Sequence, residues 1–172
     1  MIRWIVVTAA SLALSAGVAA AQQPATAKAE FVNMAGEGIG SAKLTGTKGG
    51  VLIEVEAKGL PAGEWVGFHV HETGKCDAAG KHESAGGHFN PGGREHGYLA
   101  ANGPHAGDMP NLLVAADGSV HVQVFNAAIT LDEAKNGVIG RALMIHGGAD
   151  DYQSQPSGKA GARYACAVIV KE

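Results

Sequence analysis

Eight histidines are scattered through the chain, and their spacing is what draws attention. His69 and His71 flank Val70 in the segment Trp65–His71, which alternates apolar and polar residues. In an extended strand, residues i and i+2 point the same way. The two imidazoles therefore leave the face opposite Val66, Phe68 and Val70, and two neutral imidazoles side by side on a rigid strand begin a copper or zinc site. Taken alone, the pair fits equally well a strand face turned to solvent. The stretch that follows adds His88, His96, His105 and Asp108. Three imidazoles and one carboxylate make a tetrahedral zinc set, and a solvated loop would more usually carry Lys, Glu and Ser. His146 ends the apolar run Ala142–Ile145, at the tip of what should be a core strand.

These residues need a scaffold, and the patterning describes one. Val51–Glu56 and Ser119–Phe125 alternate like half-buried strands, as Trp65–His71 does. Val138–Ile145 and Tyr164–Val170 are further strand candidates; Ala29–Val32 and Ser41–Thr47 are weaker ones. Lys48-Gly49-Gly50 and Asp117-Gly118 supply turn chemistry. Helical periodicity is lacking, with at most one turn at 131–134. The expectation is an all-β Greek-key sandwich or flattened barrel of about eight antiparallel strands. Two long stretches rich in Gly, His, Asn and Pro, Glu72–Met109 and Gly147–Arg163, interrupt it. Loops this long in a compact domain are usually functional or disordered, and six of the eight histidines lie in them or at their edges.

The first 21 residues are of another kind. Arg3 precedes an apolar run of about 16 residues, Ile5–Ala20, and small residues follow at Ala19-Ala20-Ala21. This is the pattern of a secretory leader cleaved after Ala21; the run is short of the ~20 residues of a membrane-spanning anchor. Residues 22–172 would then form one domain, with no membrane partner. Loss of Arg3 takes the formal charge from -3 to -3 - 1 = -4, which argues against a nucleic-acid partner. Two cysteines, Cys76 and Cys166, remain. In an exported protein an isolated pair reads as a disulfide, here closing a loop of ~90 residues and contributing about 4–5 kcal/mol by the chain-entropy account.

Over nearly all of this length the chain resembles the bacterial exported copper/zinc superoxide dismutases. The resemblance is carried by Gly67-Phe68-His69-Val70-His71-Glu72, Gly86-Gly87-His88-Phe89-Asn90-Pro91, His96-Gly97, His105-Ala106-Gly107-Asp108-Met109-Pro110, Met144-Ile145-His146 and Arg163-Tyr164-Ala165-Cys166. It implies a sandwich fold and dismutation of superoxide to dioxygen and hydrogen peroxide by alternate reduction and oxidation of copper beside a structural zinc. It assigns copper to His69, His71, His88 and His146, and zinc to His88, His96, His105 and Asp108, with His88 bridging both and taking part in turnover. It makes Asp150 the carboxylate behind His69 and His96, and Arg163 the guide for the superoxide anion. It implies a periplasmic location and leaves monomer and homodimer open. His82 and His121 match no ligand position, and both are expected to be solvated. Lys159 is the only cation in Gly147–Ala162 and faces Asp150 and Asp151, so long-range steering should be modest. The competing reading is a non-enzymatic periplasmic copper/zinc-binding protein; such relatives lack a ligand or the arginine, and here all are present.

Overall fold

The computed structural model describes residues 23–132 and 134–172. The expected leader, residues 1–21, lies outside them. Among the described residues ten strand segments occur: β1 Thr26–Asn33, β2 Gly38–Thr47, β3 Gly50–Ala57, β4 Trp65–Val66, β5 Phe68–His71, β6 Leu112–Leu113, β7 Val120–Asn126, β8 Ala142–His146, β9 Arg163–Val168 and β10 Val170–Lys171. Single residues, Gly67 and Ile169, interrupt β4/β5 and β9/β10, so the ten segments make 10 - 2 = 8 continuous runs. The sheet order is β5-β8-β9-β1-β2-β3-β7, with β10 on β1 and β4 paired with β6. Every strand pairing is antiparallel. The strand order β5-β8-β9-β1 brings distant segments together, and that juxtaposition positions the site.

Alternation explains the core. Val51, Ile53 and Val55 of β3 are fully buried together with Phe31, Leu44, Val66, Phe68 and Val70. β5 and β8 are buried on both faces. Leu143 and Ile145 face the main core, while Ala142 and Met144 form a smaller cluster with Ala85 and Cys166. That second cluster lies beneath the first long loop, and the Cys76–Cys166 disulfide ties the loop to β9. A strand covered on both sides reads as a continuous apolar run, which is how Ala142–Ile145 reads.

Two expectations are corrected and one is exceeded. The weak candidates Ala29–Val32 and Ser41–Thr47 belong to two of the longest strands, β1 and β2. The strand expected at Val138–Ile145 starts only at Ala142, because Gly140 takes a positive φ of 78° and Arg141 N–H turns back to the Val138 carbonyl. The helical turn expected at 131–134 is a series of bends at its described residues. The turn at Lys48-Gly49 does join β2 to β3, with Thr47 opposite Gly50.

Candidate metal centre

Both long loops leave from the ends of β5 and β8 and fold back over them. The first runs alongside β5: Val70 N–H donates to the Gly107 carbonyl at 2.8 Å, and Phe89 N–H to the Val70 carbonyl at 2.8 Å. These bonds also cover a sheet edge that would otherwise be open to pairing. They place His88 beside His71 and Asp108 beside His69 as isolated bridges. His146, at the end of β8, sits next to β5 because Phe68 pairs with Ile145.

Seven residues form two buried groups sharing one member. One ring nitrogen each of His69, His71, His88 and His146 lies within 4.8 Å of the others; the same holds for donor atoms of His88, His96, His105 and Asp108. In the second group, Nδ1 of His88, His96 and His105 stand 2.9, 3.1 and 3.3 Å from Oδ1 of Asp108. Donors bound at ~2.0–2.1 Å in a tetrahedron lie roughly 3.3 Å apart, so this set fits a zinc ion. In the first group the fit appears as unpaired nitrogens: His69 Nδ1, His71 Nε2, His88 Nε2 and His146 Nε2 are buried and have no hydrogen-bond partner. Buried polar atoms are otherwise almost always paired, and four converging imidazole donors suit copper. His88 offers Nδ1 to Asp108 and leaves Nε2 free, so it presents one donor to each group.

Electrostatics keep these donors ready. Burial pushes His71 well down, and burial helped by neighbouring histidines lowers His88 to about 4 and His146 to about 3. Burial also lowers His69, with Asp150 opposing. These rings are neutral at physiological pH, as a metal ligand must be. Burial alone would lower His96, but hydrogen bonds with Asp108 and Asp150 raise it to about 9 in the metal-free protein. Burial would raise the two carboxyls. The histidines outweigh it, led by His105 at Asp108 and by His69 at Asp150, and hold both well below the usual carboxylate range.

Asp150 lies behind both groups. Its Oδ2 is 2.8 Å from His69 Nε2, and its Oδ1 is 3.0 Å from His96 Nε2. Such outer carboxylates fix the tautomer of a metal-binding imidazole. Three further residues, which no sequence motif marks, support these ligands. Asn111 clamps the Asp150 backbone, donating Nδ2–H to its carbonyl and accepting its N–H, each at 2.9 Å. Gln155 does the same for His96, donating to its carbonyl at 2.9 Å and accepting its N–H at 2.8 Å. Tyr98 donates its hydroxyl to the Asp108 carbonyl at 2.9 Å. Amides and tyrosines in loops are too common to be singled out by type.

Arg163 lines a cleft of about 620 Å³ together with His71, His88 and His146. The Cys76–Cys166 bond fixes the strand that carries it. His121 is solvated as expected, 3.2 Å from Glu56. His82 is not: it is fully buried. Lys81 and His82 adopt left-handed φ values of 52° and 60°, and His82 N–H returns to the Asp77 carbonyl at 2.8 Å, which turns the ring inward. Asp150 is buried as well, so of the two acids facing Lys159 only Asp151 approaches it, at 4.0 Å.

A curled antiparallel β scaffold carrying two fused His-rich donor groups defines a small class of proteins. The chain belongs to the copper/zinc superoxide dismutases: the family profile, Copper/zinc superoxide dismutase (SODC), matches residues 39–169. The copper-zinc superoxide dismutase 1 of Aquifex aeolicus is 49% identical over 82% of this chain and 85% of its own length. The crystal structure of a SOD-like protein from Bacillus subtilis superposes with TM-score 0.78 at 39% identity, covering 81% of this chain and 95% of that one. The Cu/Zn superoxide dismutase from Brucella abortus gives TM-score 0.69 at 32% identity, covering 84% and 99%.

Proposed function

We propose that residues 22–172 act as a single-domain, exported superoxide dismutase, with His69, His71, His88 and His146 holding copper and His88, His96, His105 and Asp108 holding zinc. The single observation that carries this reading is His88, whose two ring nitrogens serve two adjoining donor groups; among side chains only imidazole has two such opposed donors. When bound, copper supplies one-electron chemistry that turns two superoxide ions and two protons into dioxygen and hydrogen peroxide.

The chain's own residues provide the rest. His69 and His71 are fixed by β5, His146 by β8, and Asp150 holds His69 in the tautomer that frees Nδ1. His88 can carry a proton on Nε2 while Nδ1 stays committed to the zinc donors, which places a proton source on the cleft where peroxide formation consumes one. Arg163 is always charged and offers several donors, so it attracts the substrate anion at short range although the protein as a whole is anionic. No observation favours a purely metal-buffering role, since no ligand is missing. The apolar leader supports export to the periplasm; among the described residues no helix is long and apolar enough to cross a membrane.

Elemental analysis of protein reconstituted with both metals tests the ligand assignment. One copper and one zinc per chain are expected, and His88→Ala should weaken retention of both metals against a chelator, whereas His105→Ala should weaken zinc alone. A wild-type protein that retains zinc but refuses copper would sink the reading.

A further inference from the structure

Arg163 is not free in its cleft. Its Nη1 donates to the His82 carbonyl at 3.0 Å and approaches the Glu83 carbonyl at 3.5 Å. Its Nη2 stands 3.4 Å from Oε2 of Glu83. The segment that grips it is itself fixed. Lys81 and His82 hold left-handed backbone conformations, the His82 ring is buried, and Glu83 begins a short 3-10 turn, Glu83–Ala85. The disulfide ties this loop to the strand of Arg163.

The backbone carbonyls and the Glu83 carboxylate act differently. The carbonyls place the guanidinium and carry no net charge. The carboxylate adds a full negative charge on the cleft that His71, His88 and His146 also line. Its side chain is 73% exposed, and such a solvent-screened ion pair contributes little stability. The effect that remains is on other anions: the Glu83 charge 3.4 Å from Nη2 offsets part of the guanidinium's attraction for an incoming anion. Glu72, the other acid on the cleft, is engaged elsewhere, accepting Gly87 N–H at 3.1 Å.

We propose that Glu83 is a positioning residue that competes with the incoming anion for Arg163 and so limits how tightly a small anion enters the copper cleft. This rests on Arg163 being the anion guide. Glu83→Gln keeps the size of the side chain and the carbonyl grip but removes the charge. An exposed charge pair of this kind changes an equilibrium about two- to fivefold at low salt, and screening should erase the effect at high salt.

Azide, a small univalent anion that binds copper(II) and changes its absorption, is the probe. Its affinity should be titrated spectrophotometrically in copper-and-zinc-loaded wild type, Glu83→Gln, Arg163→Gln and the double variant, at ~0.01 M and ~1 M ionic strength. Glu83→Gln should bind azide about two- to fivefold more tightly at low salt. The gain should shrink toward none at high salt and mostly vanish when Arg163 is also Gln. Unchanged or weaker binding in Glu83→Gln, with Arg163→Gln clearly weakened, overturns the role of Glu83 alone. A full gain in the Arg163→Gln background overturns its action through Arg163. If Arg163→Gln binds azide like wild type, the anion-guide reading fails and this proposal fails with it.

Discussion

His69 and His96 meet at one carboxylate: Asp150 takes Nε2 of the first at 2.8 Å and Nε2 of the second at 3.0 Å. One ring stands on β5 and the other on the first long loop, and each keeps its remaining nitrogen for a different donor group. The two groups are thus coupled twice, through His88 in front and Asp150 behind. Asp150→Asn keeps the shape but loses the charge and one acceptor. Losses of this kind cost about 10–100-fold in metal affinity, and the expected fall is larger for zinc, since His96 is held by the loop rather than by a strand. Competition with a chromogenic chelator measures it; unchanged zinc affinity would mean that the carboxylate is incidental.

Gly158 makes this arrangement possible. It sits at φ +68°, and a Cβ there would overlap Oδ1 of Asp150 and approach His96 Nε2 to 2.6 Å. Both the positive φ and the contact exclude a side chain. Gly158→Ala should therefore displace Asp150 and lower zinc retention at least as much as Asp150→Asn does, with the β scaffold intact by circular dichroism. Wild-type zinc retention in Gly158→Ala would contradict the packing described.

The metal-free protein should be most stable near neutrality. Burial lowers His88 from 6.5 to about 4 and His146 to about 3. A lowered histidine contributes stability that is present above 6.5 and lost as pH falls toward its folded value, because the unfolded chain takes up the proton first. Burial opposes, but Asp108 and Asp150 raise, His96 to about 9, so its contribution is full below 6.5 and is lost as pH rises through about 9. Denaturant unfolding of chelator-treated protein should show stability falling on both sides. Greater stability at about pH 5 than at about pH 7 would contradict the burial of neutral rings.

How much of this could be read from the chain depended on chemistry rather than on pattern strength. Histidines in succession with one aspartate stand out by type, and the structure gathers all seven predicted ligands into two fused groups. The strands β3, β5 and β7 were legible because branched residues alternate with polar ones. β1 and β2 were faint because small residues, Ala27, Ala29 and Ala42, fill their share of the core, and an irregularity between Phe31 and Val32 shifts the register. The burial of His82 was not legible, since loops have no period that predicts which way a side chain turns. Asn111 and Gln155 act across long sequence separations on backbone groups, which no local motif records.

The most direct test follows superoxide decay by stopped flow, with the copper-and-zinc-loaded protein at catalytic concentration. Wild type should accelerate the decay through many turnovers, and zinc-only protein should not. Arg163→Glu should keep both metals and lose most of the rate, because repulsion replaces attraction close to the site. Its residual rate should rise or stay flat with added salt, where that of wild type falls. A fully metallated wild type no faster than the zinc-only protein would contradict the assignment of this chain as a superoxide dismutase.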